Sequence, residues 1–595
     1  MSHPEQQPAQ DAMPSTRGMN FYLADGHLER LCSIVMEPGT FARARPHLIA
    51  MGEVAGGELD ALAAEADRNP PVLRAYDERG ARIDEIECHP SYRRMEQIAF
   101  ERFGLHAMSH KDGVLGWPGR VPHVVKYALS YLFAQSEFGL LCPVNMTDSC
   151  ARMLRAHGSA ELRERYLPHL TATDMADLWQ GVQWMTERTG GSDVGASTTV
   201  ARRDPDGTWR LWGDKWFASV ANARLTLTLA RPEGAPPGTR GLGMFLVPKR
   251  LPGGEKNAWT INRLKDKFGS RSMATGEVTY AGAVAWVVGD LDRGFKQMME
   301  MVNGSRLSNA MRAAGIMRRA LLESLVHARV RVAFGRPLVE LPLLRSGLLG
   351  MLLDTSAAAA VVLHGAALMD ARDAGARGAA GVLRIITPLA KYWITQRARD
   401  VAGEAMNVRG GNGYVEEWVN PRLVRDSFLG AIWEGSSHVV ALDVQRAILR
   451  EAAFAPLHSF VAERLAPVTE PGAKPWVELL LEQLAGIERQ TAAWPEMSAD
   501  QRELEARPVA DTLYHALAGS LLLGAGQRRL GEAGDWGGLA LAALYLSRWL
   551  RPAEPSHPRF TAAELEWLDA LADGRAMPKA ALAAVAPPGR SPQSR

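Results

Sequence analysis

Between about residues 181 and 290 the apolar residues abandon helical spacing for short alternating runs, whereas the chain on either side keeps a helical period. Such a chain must place a sheet between two sets of helices. Within the stretch, STTVARRDPDGTWRLWGDKWF joins two β-rich runs through Asp204, Pro205, Asp206 and Gly207, a hairpin signal. LTLTLA (225–230), GLGMFLVPK (241–249) and GEVTYAGAVAWVVG (276–289) continue the pattern between prolines and glycines. An antiparallel sheet or small barrel is expected there.

The flanks complete an α+β, mainly α, class. Residues 19–180 read as an N-terminal helical domain, with Ser159 capping the helix in SAELRERYLPHL. No strand leads into a GxGxxG, so no dinucleotide-binding unit is predicted. Residues 291–450 read as a helical bundle, with Leu321, Leu322, Leu325 and Ala328 on one face and an alanine-rich run at 356–369. A helical extension follows over 451–586. Residues 1–18 and 587–595 are expected to be loose tails. The chain has 595 residues, too many for one core at the usual ~100–200 residues per domain.

Several function classes are disfavoured. Cys32, Cys88, Cys142 and Cys150 form no CxxC pair, and no HExxH occurs, so neither a metal site nor a disulfide framework is expected. A net charge of +2 gives no general attraction to nucleic acid. No run approaches the roughly 20 apolar residues that cross a bilayer, and the N-terminus lacks a basic start with an apolar core. A cytoplasmic protein without a membrane segment is expected.

Two stretches carry chemistry. In AIWEGSSHVVALDVQR (431–446), Glu434 lies between the indole of Trp433 and the bare backbone of Gly435. The indole strips solvent from the carboxylate and raises its proton affinity, while the glycine leaves room for a ligand, as a general base requires. MTERTGGSDVGASTT (185–199) sits where helices give way to strands. Its glycines allow close backbone approach, and the hydroxyls of Thr186 and Ser192 suit polar or anionic groups.

MTERTGGSDVGASTT, GDKWFAS, HARVRVAFGRPL, MNVRGGNGY and IWEGSS, in this order and at these intervals, resemble the acyl-CoA dehydrogenase family over roughly residues 100–450. NPPVLRAYDERGARID, the Trp-Glu-Gly variant and the extra C-terminal segment resemble its AidB-like branch of adaptive-response flavoproteins. The resemblance implies an N-terminal helical domain, a central antiparallel β domain and a C-terminal four-helix domain, plus an extra C-terminal helical domain. It also implies FAD, bound partly at a subunit interface.

By that resemblance Met185 and Thr186 meet the flavin ring and Ser192 the pyrophosphate. Phe217 stands where most members carry Trp, and Ser219 at the hydroxyl position near flavin N5. Arg331 and Phe334 reach the cofactor of a neighbouring subunit, and Gly410 and Gly411 give backbone contacts. Trp433, Gly435, Ser436 and His438 complete the cofactor set, although the family usually carries Thr-x-Gln where Ser436 and His438 stand. Glu434 is implied as the base and Arg306 as a substrate-side arginine.

Two functions follow. The first is an FAD-dependent dehydrogenase of short or branched acyl-CoA, working as a homo-oligomer, expected to be a tetramer. The second is a flavoprotein associated with double-stranded DNA in the alkylation-damage response, with residual dehydrogenase activity. For the second, Arg446 and Arg450 are the expected contacts, but residues 451–595 hold 14 Lys+Arg against 18 Asp+Glu, a balance of −4 that departs from the basic character DNA binding needs. Dehydrogenation is therefore placed ahead.

Overall fold

A computed structural model describes residues 13–551 and 556–587. The rest of the two tails lies outside the described residues. The N-terminal part carries helices α1 (Gly26–Val35), α2 (Pro38–Val54), α3 (Asp60–Arg68), α4 (Pro90–Glu96), α5 (His123–Ala134), α6 (Leu141–His157) and α7 (Ala160–Leu170). Ser159 caps α7 through its side chain, as its sequence suggests.

This part is not purely helical. Strands β1 (Val72–Tyr76) and β2 (Arg82–Glu87) form an antiparallel hairpin. Pro70 and Pro71 end the preceding helix, and the Asp77 carboxylate accepts from Arg79 N and Ala81 N to shape the turn. Residues 13–18 are also more than a loose tail. Thr16 is buried and donates to Glu323, and Gly18 N donates to Gly56 O at 2.7 Å.

The middle sheet contains β3 (Gly181–Trp184), β4 (Val200–Arg203), β5 (Trp209–Ser219), β6 (Leu225–Pro232), β7 (Gly243–Pro248), β8 (Trp259–Leu264) and β9 (Thr275–Val287). The β4–β5 hairpin turns where Asp204–Gly207 predict it, with Ala201 opposite Leu211. β6 pairs with both β4 and β7, so the sheet curls and closes on itself through β5 and β9. Most pairings are antiparallel, but β3 and β4 both run parallel to β6. That detail and the strands β3 and β8 escaped the sequence, because a strand of four to six residues carries too little alternation to register.

Five helices follow: α8 (Gly294–Val330), α9 (Pro342–Asp373), α10 (Ala379–Arg409), α11 (Asn420–Gly430) and α12 (Ser437–Glu451). α9 corrects one expectation, because it is long and apolar enough to cross a bilayer. Here 89% of its apolar window is buried inside the protein. The extension holds α13 (Phe454–Leu465), α14 (Lys474–Ala492), α15 (Ala499–Ala533) and α16 (Gly537–Leu550), with three short helices after them. It docks through Trp393 of α10, whose ring stacks on Tyr514 at 4.3 Å, and through Tyr392 Oη, which donates to Asp511 at 2.9 Å.

Candidate active site

The turn between α11 and α12 carries Glu434, and its backbone is held in a conformation that a side chain rarely adopts. Glu434 has φ +57 and Gly435 φ +99, in the left-handed region. Three buried cationic or amide side chains fix it. Arg306 Nε on α8 donates to Glu434 O at 3.0 Å, Lys391 Nζ on α10 donates to Gly435 O and to Ala431 O (3.4 Å), and Asn309 Nδ2 donates to Gly430 O at 2.8 Å. Arg306 is itself anchored, its Nη1 lying 2.6 Å from Asp443 Oδ2. A guanidinium expected beside substrate is thus engaged with protein, where it positions the base.

The Glu434 carboxylate reaches back to the sheet. Gln183 Nε2 on β3 donates to its Oε1 at 3.3 Å, which joins the β domain to the bundle at this one group. The residue is half-buried, and loss of solvation pushes its proton affinity up despite opposition from Arg306, Arg312 and Lys391. Burial and the neighbouring Arg306 in turn drag Lys391 down to about 7. A carboxylate with raised proton affinity, held on a strained turn, is equipped to take a proton.

The 185–199 loop is built around a residue that the sequence reading did not single out. Glu187 accepts from Thr198 N (2.6 Å), Thr198 Oγ1 (2.8 Å) and Thr199 Oγ1 (2.6 Å), and pairs with buried Lys215 at 2.8 Å. Burial opposes the charge, but Lys215 and these donors hold the carboxyl down at about 2. The loop is therefore rigid from within. A Cβ at Gly191 would approach Thr186 Oγ1 to 2.9 Å, so glycine is needed for the turn to close against Thr186. Trp216 N donates to Thr186 O at 2.8 Å, and Trp184 Nε1 to Ser219 O at 2.9 Å, which brings Met185, Thr186 and Ser219 to one edge of the sheet. Phe217, on the same strand, is 53% exposed, and Ser192 lies exposed on the loop.

Other expected residues lie outward. Phe334, with φ +53, is 93% exposed on the short hairpin after α8, beside exposed Arg331. Gly410 and Gly411, also exposed, have open space where a Cβ would stand. Ser436 is the N-cap residue of α12, and His438 is exposed on that helix. Arg446 and Arg450 are exposed on α12, with Arg446 Nη1 lying 3.3 Å from Asp443. Trp433 stacks on Phe138 with ring centroids 5.4 Å apart. Gln183, Lys391, Asp443, Asn309, Glu187 and Lys215 were missed, because their roles depend on partners up to 251 residues away; Glu187, Lys215 and Asp443 stood inside quoted motifs without being singled out.

The arrangement suits a flavin dinucleotide. A glycine-rich loop lies beside an exposed aromatic ring, and the carboxamide oxygen of Gln183, next to the base, is buried without a partner. That is the mixture of backbone donors, ring wall and free polar atom that an isoalloxazine edge needs. Among the described residues no group of acidic, His or Cys side chains could hold a metal.

Comparison with known proteins finds three related domains in this order along the chain. Residues 292–449 match the acyl-CoA dehydrogenase C-terminal domain, 183–283 its middle domain and 11–176 the adaptive response protein AidB N-terminal domain. The putative acyl-CoA dehydrogenase AidB of Escherichia coli is 36% identical over 73% of this chain and 79% of its own length. Acyl-CoA dehydrogenase family member 11 of Caenorhabditis elegans is 32% identical over 72% of this chain and 70% of its own. The solved structure of Caenorhabditis elegans ACDH-11 in complex with C11-CoA superposes with a TM-score of 0.85 at 28% identity and covers 95% of each chain.

Proposed function

Because the chain belongs to the acyl-CoA dehydrogenase family, in the branch with an AidB-type N-terminal domain, we propose that it is an FAD-dependent dehydrogenase in which Glu434 removes the α-proton of an acyl-CoA thioester. Bound at the 185–199 loop, the flavin supplies a two-electron acceptor for the hydride that leaves the β-carbon. Met185, Thr186 and Ser219 hold and orient it, and Phe217 walls it. Arg331 and Phe334 stand exposed on the hairpin after α8, open to a second copy's cofactor, which favours a homo-oligomer, proposed as a tetramer.

The observation that carries the reading is the Glu434 carboxylate, proton-seeking by desolvation and tied to the β domain by Gln183. Arg306, Lys391 and Asn309 fix its backbone, so the carboxylate meets Cα without reorganising. Deprotonated Glu434 is the active form, and flavin reduction should therefore accelerate as pH rises through its elevated range. The acidic balance of residues 451–595 favours this function over association with duplex DNA. Anaerobic titration of the purified yellow protein with short and branched acyl-CoA esters tests it. Bleaching of the flavin is expected, and a protein that cannot be loaded with FAD, or whose flavin no ester bleaches, would sink the proposal.

A further inference from the structure

Six residues after Arg306 on α8 stands a second arginine with a different environment. Arg312 is 1% exposed, and its guanidinium lies 4.7 Å over the Trp433 ring and 5.3 Å over the Phe138 ring. Its Nε makes one long bond to Ser308 O at 3.4 Å, its Nη1 is buried without a partner, and Cys142 is its thiol neighbour. Among the described residues no carboxylate lies within ion-pair distance of it. The indole N–H of Trp433 is likewise buried and unpaired.

Two orphaned donors thus stand together beside the residue that precedes the base. Arg312 feels Glu434 as a counter-charge but makes no ion pair with it; a buried cation so weakly compensated costs several kcal/mol by desolvation, and donors left unmade cost about 1–3 kcal/mol each. The contacts of the guanidinium with the two rings offset part of that cost and leave the donors unmade. A ligand that brings oxygen acceptors and negative charge would offset both costs, with planar fork geometry on the guanidinium side. The Trp433 ring that Arg312 overlies directly precedes Glu434 in the chain, so an anion held by this pair lies close to the base, at the end of a short acyl chain.

We propose that Arg312, with the Trp433 N–H, is a specificity subsite for a terminal carboxylate on a short acyl chain, so that the substrate class is an ω-carboxyacyl thioester. The inference rests on the dehydrogenase function proposed above. The indole is carried by the turn 431–436, whose backbone Arg306, Lys391 and Asn309 fix, so its N–H is held in place next to the base. Arg312 recognises and does not react; the α-proton still passes to Glu434 and the β-hydride to the flavin.

The test uses FAD-loaded wild type, Arg312→Leu and Arg312→Lys, each also in a Glu434→Gln background that binds without turnover. Succinyl-CoA and glutaryl-CoA are compared with butyryl-CoA and valeryl-CoA, by thermal shift and flavin-spectrum titration for binding and by anaerobic reduction for turnover. Wild type should bind the carboxylated esters at least tenfold tighter than their neutral counterparts. Arg312→Leu should erase or invert that ratio at unchanged FAD content, and Arg312→Lys should keep part of it. Equal or better binding of the neutral esters by wild type, or a ratio that Arg312→Leu leaves intact, overturns the subsite while leaving the dehydrogenase standing. Discrimination in binding with no flavin reduction by any ester upholds the subsite and removes the dehydrogenase function. Absence of both binding and reduction removes both.

Discussion

Among the arginines that helix α8 buries, Arg312 and Arg319 lie seven residues apart, each 1% exposed, and their surroundings are opposite. Arg319 grips Asp60 with both terminal nitrogens at 3.0 and 3.1 Å and pairs with Glu323 at 2.9 Å, while Arg422 shares Asp60 and Arg409 shares Glu323. Burial alone would lower the proton affinity of Arg319, but its two carboxylates more than reverse that. Arg312 has no such partner, and burial pushes it down. Equal burial therefore does not mean equal purpose. The Arg319 network stitches α3, the Thr16 segment and the bundle together, whereas Arg312 stands at the catalytic turn with its Nη1 unpaired.

If that contrast separates chemistry from architecture, the largest effect should come from a change that leaves architecture alone. Glu434→Gln preserves shape and should keep its flavin, yet anaerobic reduction by a substrate ester should slow by about 10² to 10⁴. Unchanged kinetics would remove Glu434 from the mechanism.

On the paired side, Asp60→Ala strands Arg422 as a buried charge and leaves Arg319 only the Glu323 that it shares with Arg409. It should destabilise the protein by about 3–5 kcal/mol in denaturant unfolding while reduction rates well below the melting point stay within a small factor of wild type. A loss of rate without a loss of stability would erase the distinction between the two regions.

Arg312→Met should do the reverse and stabilise the ligand-free protein by about 1–3 kcal/mol, since an unsatisfied buried group is removed. A marked drop in melting temperature would show that Arg312 has a structural partner after all.

A further effect is expected in pH dependence, from buried acids near the same centre. Glu137, next to the Phe138 ring under Trp433, is pushed up to about 7 by burial and by Asp426, which burial raises to about 6. Among the described residues Glu137 accepts from Leu140 N and Ser272 Oγ, and Asp426 accepts from Ser270 N. Because the folded protein holds these protons more tightly than the unfolded chain, their stabilising contribution is present below about pH 4 and is lost as pH rises through about 6 to 7. Each shifted unit is worth on the order of 1 kcal/mol. Asp60, held low by Arg319 and Arg422 against burial, acts in the opposite sense and loses its contribution only in acid. Replacing Glu137 by Gln should flatten the fall in melting temperature between pH 5 and 7; an unaltered profile would place the protonation elsewhere.

The sequence by itself determined the helix–sheet–helix order, the turn at Asp204–Gly207, the helix capped by Ser159 and the identity of the 185–199 and 431–436 stretches. These are local properties: a period, a turn residue or a motif is complete within about twenty neighbours. Short strands such as β3 and the β1–β2 hairpin were not legible, because their alternation is brief and their pairing partners decide them. Only the tertiary structure decided that Gln183 would meet Glu434 across 251 positions, that Arg306 would hold the base's carbonyl instead of standing free, and that Arg319 would find carboxylates where Arg312 found none. The two arginines read alike in the chain. Their difference lies in which charges the fold brings within a few ångströms, and in low-dielectric surroundings that distance sets whether a buried charge is satisfied or left for a ligand.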